Sequence, residues 1–402
     1  MHEDLEGAKA AAIDAIDAMR DDLVALSRDI HAHPELSFAE HHAARVLCES
    51  IEKVGVDVER GAFGLDTAFH AEFGEPGGEV VALLAEYDAL PGIGHACGHN
   101  LIATASVGAG LALAARQETL PGRIRILGTP AEERGAGKEI MARRGAFDGV
   151  AAALMIHPAG INLATMPCIC VAEVEVVYTG RASHASASPH AGINALDGLV
   201  LAYQAIAALR QHIRHTERIH GVITDGGQAP NIVPERAAGS FYVRARNARE
   251  LEALKTRVDA CFAAGAAASG AEVEARWAEI DYLDLNTCWP LAHAFQENAE
   301  RVGREFFPLD RLPTSVAGST DMGNISHRIP AIHPMLAAAP AHVSIHNPEF
   351  TEYSGSEMGD AAAIDGAKAL AMTALDFLYD PALREAARSA FEKTSSLLEP
   401  DD

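Results

Sequence analysis

The sequence predicts an α/β fold: a mixed, largely parallel sheet with helices on both faces, interrupted by an inserted ferredoxin-like domain. Short apolar runs at 79–87, 123–129 and 151–157 alternate with helical apolar spacing at about 100–116 and 136–146, the order of a parallel sheet covered by helices. Near Val171 the pattern changes to the alternating "VAEVEVVYTG", and the residues that follow read β-α-β-β-α-β. At 402 residues the chain also exceeds the usual size of one hydrophobic core. The expected division is 1–172 and 286–402 for the two parts of the first domain, with 173–285 inserted between them.

Taken in order, apolar residues recur at helical spacing from Leu5 to about Ile30 and from Phe38 to Val54, with Ser37 placed as N-cap of the second helix. The strand–helix alternation follows. Inside the insertion come a helix near 192–214, strand-like runs at "IHGVITDGG" and "AAGSFYVRAR", a helix at about 248–266 and the run "EVEARWAEI". From Pro290 to a helix at 356–378 the pattern returns to the first domain. Cys168 and Cys170 alternate within "PCICVAEVEVVY"; their spacing is wrong for a redox pair, and they read as packing residues.

The formal charge of -24 and pI near 5.1 argue against nucleic acid or an anionic membrane surface as partner, since both reward clustered positive charge. No apolar run approaches the ~20 residues of a membrane span, and the start "MHEDLEGAKAAAIDAIDAMRDD" is amphipathic and acidic rather than a signal peptide. The expected compartment is the cytoplasm. Six cysteines spread over this length do not form a disulfide framework.

Metal-type ligands collect where the predicted strands end. Cys97 and His99 follow the first strand, after Glu86 and Asp88; Glu132 and Glu133 follow the second; His157 ends the third; His346 lies far downstream in "VSIHNPEF". A lone histidine is more often a surface or core residue, a lone cysteine a small hydrophobe, and a Glu-Glu pair a solvated one. What these readings leave unexplained is that all fall at strand exits of one sheet, where α/β proteins place their sites. Imidazole, thiolate and carboxylate suit zinc and similar ions, and two neighbouring metals need more ligands than one loop supplies. Cys97 and His99 flank a single glycine, so both turn to one side only in an irregular loop, which "PGIGHACG" is suited to form.

The strings "EYDALPGIGHACGHN", "GTPAEERGAGK", "GRASHAS", "APNIVPERA" and "GSTDMGNISHRIPAIHP" occur in an order that resembles the aminoacylase and carboxypeptidase family of dinuclear metallopeptidases. The likeness runs from about residue 30 to 380 and is greatest to the amidohydrolase branch, which includes hydrolases of aminobenzoyl-glutamate, of auxin-amino-acid conjugates and of certain dipeptides. The resemblance implies a catalytic domain of the metallopeptidase type with an inserted lid, a homodimer formed through that lid, and a small-molecule amide substrate. It implies two divalent metals, zinc, manganese or cobalt, on Cys97, His99, Glu133, His157 and His346, with Cys97 bridging. Asp88 would orient a ligand, and Glu86 departs from the residue usual in this branch. Glu132 matches the general base. His184 resembles the lid histidine that donates to the oxyanion. Asn231, Arg244, Ser319 and Thr320 resemble substrate-binding positions, and His95 has no clear family role.

Two other readings stand beside this one. A non-catalytic binding or regulatory homologue would be favoured by a missing base or a broken ligand set, and neither is seen. A Cys97–His99 nucleophilic pair is disfavoured because residues two apart rarely meet as nucleophile and base.

Overall fold

The computed structural model describes residues 5–312 and 318–398. They form two compact units: one of 5–167, 285–312 and 320–398, the other of 168–284 with 318–319.

The first unit opens with α1 (Leu5–Ala18), α2 (Arg20–Ala32) and α3 (His41–Glu52). The single helix expected up to Ile30 is therefore two, broken at Met19 (φ -95, ψ 6), where Asp21 and Asp22 supply the acidic first turn of a new helix. Ser37 is not the cap of α3. The helix begins four residues later, and the Glu35 carboxylate accepts the backbone N–H of His42 at 2.8 Å and of Ala43 at 3.0 Å instead.

Next come β1 (Val58–Arg60), β2 (Phe69–Gly74), β3 (Val80–Ala85), α4 (His99–Ala114), β4 (Arg123–Gly128), α5 (Gly137–Arg143), β5 (Val150–Leu154) and β6 (His157–Ala159). The second unit supplies β7 (Cys170–Thr179), α6 (Ala195–Leu209), β8 (Arg218–Asp225), β9 (Arg236–Ala245), α7 (Ala248–Ser269) and β10 (Glu272–Trp277). The chain then returns to the first unit with α8 (Trp289–Arg301), α9 (Met322–Ser326), β11 (Ala331–Ile332), β12 (Met335–Ala337), α10 (Pro348–Ser354), α11 (Glu357–Tyr379) and α12 (Pro381–Leu398).

The main sheet of the first unit runs β1-β2-β4-β3-β5-β11. β3 is parallel to β4 and β5, and β5 to β11, while β2 is antiparallel to both its neighbours. Both faces of β3 are buried. Val81, Leu83 and Ala85 enter one core with α1, α2, α4, α8 and α11; Val80, Ala82 and Leu84 enter another with Met141 of α5 and Met322 and Ile325 of α9. That is why β3 reads as an unbroken apolar run rather than an alternation. The run expected at 151–157 splits: β5 ends at Leu154, and His157 starts β6, which pairs in parallel with β12.

The second unit is a β-α-β-β-α-β fold with the antiparallel strand order β10-β7-β9-β8. β7 alternates, and its inward residues Cys170, Ala172, Val174, Val176 and Tyr178 pack with Leu199, Ala202 and Ile206 of α6 and Leu254, Val258 and Phe262 of α7. Asn194 and Asn247 cap the two helices.

Candidate metal centre

Parallel pairing decides where the chemistry gathers. Ala85 of β3 lies opposite Gly128 of β4, and Leu83 opposite Leu154 of β5, so the three strands end on one edge of the sheet. Glu86 and Asp88 follow the first, Glu132 and Glu133 the second, and His157 the third. Beyond Asp88 the loop closes at Gly98, whose φ of +76 and whose closeness to Pro158 (an added Cβ would sit 2.5 Å from Pro158 Cγ) restrict the position to glycine. This left-handed residue separates Cys97 from His99, the N-terminal residue of α4.

Cys97 Sγ lies 3.3 Å from His157 Nε2. His99 Nε2 faces Glu86 Oε1 at 3.3 Å and both Glu132 Oε2 and Glu133 Oε1 at 3.8 Å. His346, held in the left-handed region (φ +62) by its backbone N–H to Ala96 O, brings Nε2 to 3.4 Å from Glu133 Oε1. The donor atoms of Cys97, His99 and His157 fall within 4.8 Å of one another, as do those of Cys97, Glu133 and His346, and those of Glu86, His99 and Glu132. Cys97 thus belongs to two three-donor groups.

Asp88 organises these loops. Its Oδ2 accepts Ser37 Oγ at 2.7 Å and the Glu133 N–H at 3.0 Å, and its Oδ1 accepts the Glu132 N–H at 3.2 Å and lies 3.1 Å from His99 Nδ1. With Nδ1–H directed at Asp88, the lone pair of neutral His99 is on Nε2 and faces the cluster. Burial opposes the charge on Asp88, but the hydrogen bonds from His99 and Ser37 outweigh it and hold the carboxyl at about 2.

The donor set fits divalent cations. Glu86 Oε1, His99 Nε2 and Glu133 Oε1 are buried without a hydrogen-bond partner, an arrangement rare unless something else satisfies such atoms. Burial keeps His157 neutral, with its pKa down at about 4, so its nitrogen is free to ligate. Burial and the nearby Glu133 push the Cys97 thiol well above its usual range, so the protein alone does not make it a thiolate nucleophile; a cation beside it would remove its proton. Burial works against a charged His99, yet Glu86 and Asp88 draw a proton to it, marking the spot as one that attracts positive charge. Burial, with Glu86, Glu133 and Asp321 nearby, raises Glu132 well above the ordinary carboxylate range.

Sequence reasoning passed over Lys138 and gave Asp321 no defined part. Both are fully buried beside Glu86. A lysine closing a glycine-rich string reads as a surface residue, because lysines are almost never fully buried unless paired.

The remaining site residues are placed as follows. Thr320 is buried in the first unit, with its Oγ1 accepting the Met322 N–H at the start of α9. His95 is buried against Ile30 O. His184, Asn231, Arg244 and Ser319 belong to the second unit. There, exposed His184 receives three donors on Nδ1, from Ser186 N, Ser186 Oγ and Ala187 N at 3.2–3.3 Å, which leaves the ring proton on Nε2. Asn231 O accepts the Ala185 N–H, tying Asn231 to the same loop. Arg244 is half-buried, and its Nη1 donates to Ser319 Oγ at 3.0 Å; Ser319 in turn donates to Ile169 O.

An α/β unit carrying a Cys/His/Glu cluster at its parallel strand exits defines a metallohydrolase. The model of Peptidase family M20/M25/M40 matches residues 82–375, and the chain belongs to that family. It is accordingly a hydrolase of amide C–N bonds. The chain is 40% identical to a Xaa-Arg dipeptidase of Mus musculus, over 97% of this chain and 93% of that one. It is 37% identical to one chain of the p-aminobenzoyl-glutamate hydrolase of Escherichia coli, over 63% of this chain and 57% of that one. Among solved structures, an aminobenzoyl-glutamate utilization protein from Klebsiella pneumoniae superposes with a TM-score of 0.73 at 20% identity, covering 92% of this chain and 98% of the other. A Bacillus subtilis protein described as a dinuclear metal binding peptidase from the M20 family gives 0.68 at 23% identity, covering 90% and 99%. None of the described helices is long and apolar enough to cross a membrane.

Proposed function

We propose that the protein is a metal-dependent amidohydrolase that splits a dipeptide, an N-acyl amino acid or an aryl-glutamate and releases an amino acid. The observation that carries this reading is the sharing of Cys97 by two three-donor groups, with Glu132 alongside. Dipeptides head the substrate classes because the Xaa-Arg dipeptidase of Mus musculus aligns with 97% of the chain.

Two divalent cations, zinc, manganese or cobalt, would suit these donors; Cys97, His99 and His157 would hold one and Cys97, Glu133 and His346 the other. Such cations would supply Lewis acidity to an amide carbonyl and lower the pKa of a water beside it. Burial and acidic neighbours raise Glu132, and positive charge held by the cluster would offset them and keep it ionised; as a carboxylate it would take the proton from the attacking water and return it to the leaving amine. Asp88 holds the His99 ring so that Nε2 is the ligating nitrogen. His184 offers its Nε2–H to the oxyanion. Arg244, steadied by Ser319, grips the substrate carboxylate, and Asn231 holds a polar group of the substrate. None of the six cysteines forms a disulfide, in keeping with a reducing cytoplasm. The second unit acts as the lid and as the contact of a homodimer, a reading supported by the exposed edge strand β8 with Val222 and Ile223.

The test is amine release, read by mass spectrometry, from a panel of dipeptides, N-acyl amino acids and aryl-glutamates with zinc, manganese or chelator. Chelator-sensitive cleavage is expected, with Glu132→Ala losing turnover by about 10²–10⁴-fold while its metal content is unchanged. Cys97→Ala should lose bound metal as well as rate. A near-normal rate in Glu132→Ala, or full metal content in Cys97→Ala, would remove the corresponding assignment.

A further inference from the structure

Lys138 is 0% exposed, and an ammonium so buried persists only with counter-charges in contact. Its Nζ donates to Glu86 Oε2 at 2.5 Å and to Asp321 Oδ1 at 2.7 Å, and its backbone N–H donates to Asp321 Oδ2 at 2.9 Å. Three segments of the first unit therefore meet on this one side chain: the exit of β3, the start of α5 and the residue before α9. The point from which the lysine stem departs is fixed by its neighbour. Gly137 packs so closely on Pro130 that an added Cβ would lie 1.8 Å from the Pro130 carbonyl oxygen.

Glu86 is engaged unequally. Oε2 is taken by Lys138, whereas Oε1 is buried without a hydrogen-bond partner, 3.3 Å from His99 Nε2, in the donor group of Glu86, His99 and Glu132. Resting on the hydrolase reading above, we propose that Lys138 is a positioning residue of the metal centre: it retains Glu86 by Oε2, so that this carboxylate meets the cluster with Oε1 alone. Without the ammonium, Glu86 carries an uncompensated charge on two free oxygens. Both then turn towards whatever cation the cluster holds, crowding the space that water and the scissile carbonyl require. Asp321 serves the lysine and not the cluster: its two oxygens accept the Nζ–H and the backbone N–H of Lys138 and so fix where the ammonium sits.

The two acids are thereby given different parts, and substitutions separate them. Wild type, Lys138→Met, Lys138→Met/Glu86→Gln and Lys138→Met/Asp321→Asn are loaded with zinc alone or manganese alone. For each, ion content, ion release to a chromophoric chelator, thermal midpoint, kcat and KM are measured. Lys138→Met is expected to keep its ions and release them more slowly than wild type, and to lose kcat by about tenfold or more with KM within about twofold. Adding Glu86→Gln should restore most of the kcat and the wild-type release rate; adding Asp321→Asn should restore the thermal midpoint without the kcat. Undiminished kcat in Lys138→Met, or equal rescue by both acid substitutions, overturns the proposal and leaves Lys138 as a counter-charge for folding.

If Lys138→Met does not fold, Lys138→Arg keeps the charge but displaces it. A lowered kcat with full ion content then supports the proposal, and an unchanged kcat overturns it. A wild type that hydrolyses nothing in the panel defeats the hydrolase reading separately. In that event ion release decides the role of Lys138: slower release from Lys138→Met that reverts with Glu86→Gln supports it, and faster or unchanged release overturns it.

Discussion

At the scale of single residues, the centre depends on side chains that hold others in place. Asp88 accepts Ser37 Oγ and two backbone N–H groups while facing His99 Nδ1, so one carboxylate sets both the orientation of the His99 ring and the course of the Glu132–Glu133 segment. Asn at this position keeps the shape but loses an acceptor oxygen and the charge. Asp88→Asn should therefore weaken metal binding and lower kcat by about 10–100-fold. Ser37→Ala removes one of several donors to the same carboxylate and should cost only a few-fold. Chelator competition and steady-state rates on the two variants check the order, and equal effects would deny Asp88 its organising part. Cys97, His99, the two glutamates and His157 were legible in the sequence because their residue types are unusual at strand exits. Ser37 was not: its distance from Asp88 along the chain hides a contact that only folding creates, and serine before a helix reads first as a cap.

Among the elements, β3 and β5 were readable because burial on both faces writes a nearly continuous apolar run, and β4 because its C-terminal half, Ile126 to Gly128, is buried in the same way. β1 and β2 were not read. β1 has only three residues, and β2 alternates as "FHAEFG", with His70 and Glu72 on its partly exposed face. What fastens β2 to β4 is partly electrostatic. Glu72 accepts Arg123 Nη1 at 2.7 Å and Arg125 Nε at 2.6 Å across the antiparallel pair. Burial acts to raise this carboxyl, but the two guanidinium groups prevail and its pKa lies below the usual value. A folded pKa below the unfolded one gives stability that is present above the unfolded value of about 4.3 and is lost as pH falls through the folded value. Glu72→Gln should thus destabilise the protein by about 1 kcal/mol at pH 7, discounting for partial exposure, and by progressively less on acidification below pH 4. Thermal midpoints of the two proteins across pH test the sign. A gap that widens as pH falls would contradict it.

For the molecule as a whole, the insertion closes on itself. Val171 of β7 bridges to Tyr282, and Cys170 Sγ lies 3.0 Å from the Asp284 N, so the strand that enters the second unit lies beside the segment that leaves it. This is why the β-α-β-β-α-β pattern was recognisable as a unit within a longer chain. The same order leaves β8 at an outer edge, where Val222 is 62% and Ile223 41% exposed, while α6 exposes Val200 and Leu201. An uncovered edge strand bearing β-branched side chains is a template for pairing, and monomeric proteins ordinarily blunt such edges with charge. A two-fold partner offering the same edge would cover it with an identical surface. Val222→Lys/Ile223→Lys places two charges on that edge; the wild type is expected to sediment as a dimer and the double variant as a monomer. Val222 stands on the face opposite Phe241 and Val243, and Ile223, although on their face, is exposed at the strand's outer end, so circular dichroism and the metal content of the first unit should stay unchanged. A double variant that remains dimeric would move the contact away from β8, and a wild type that sediments as a monomer would remove the dimer altogether.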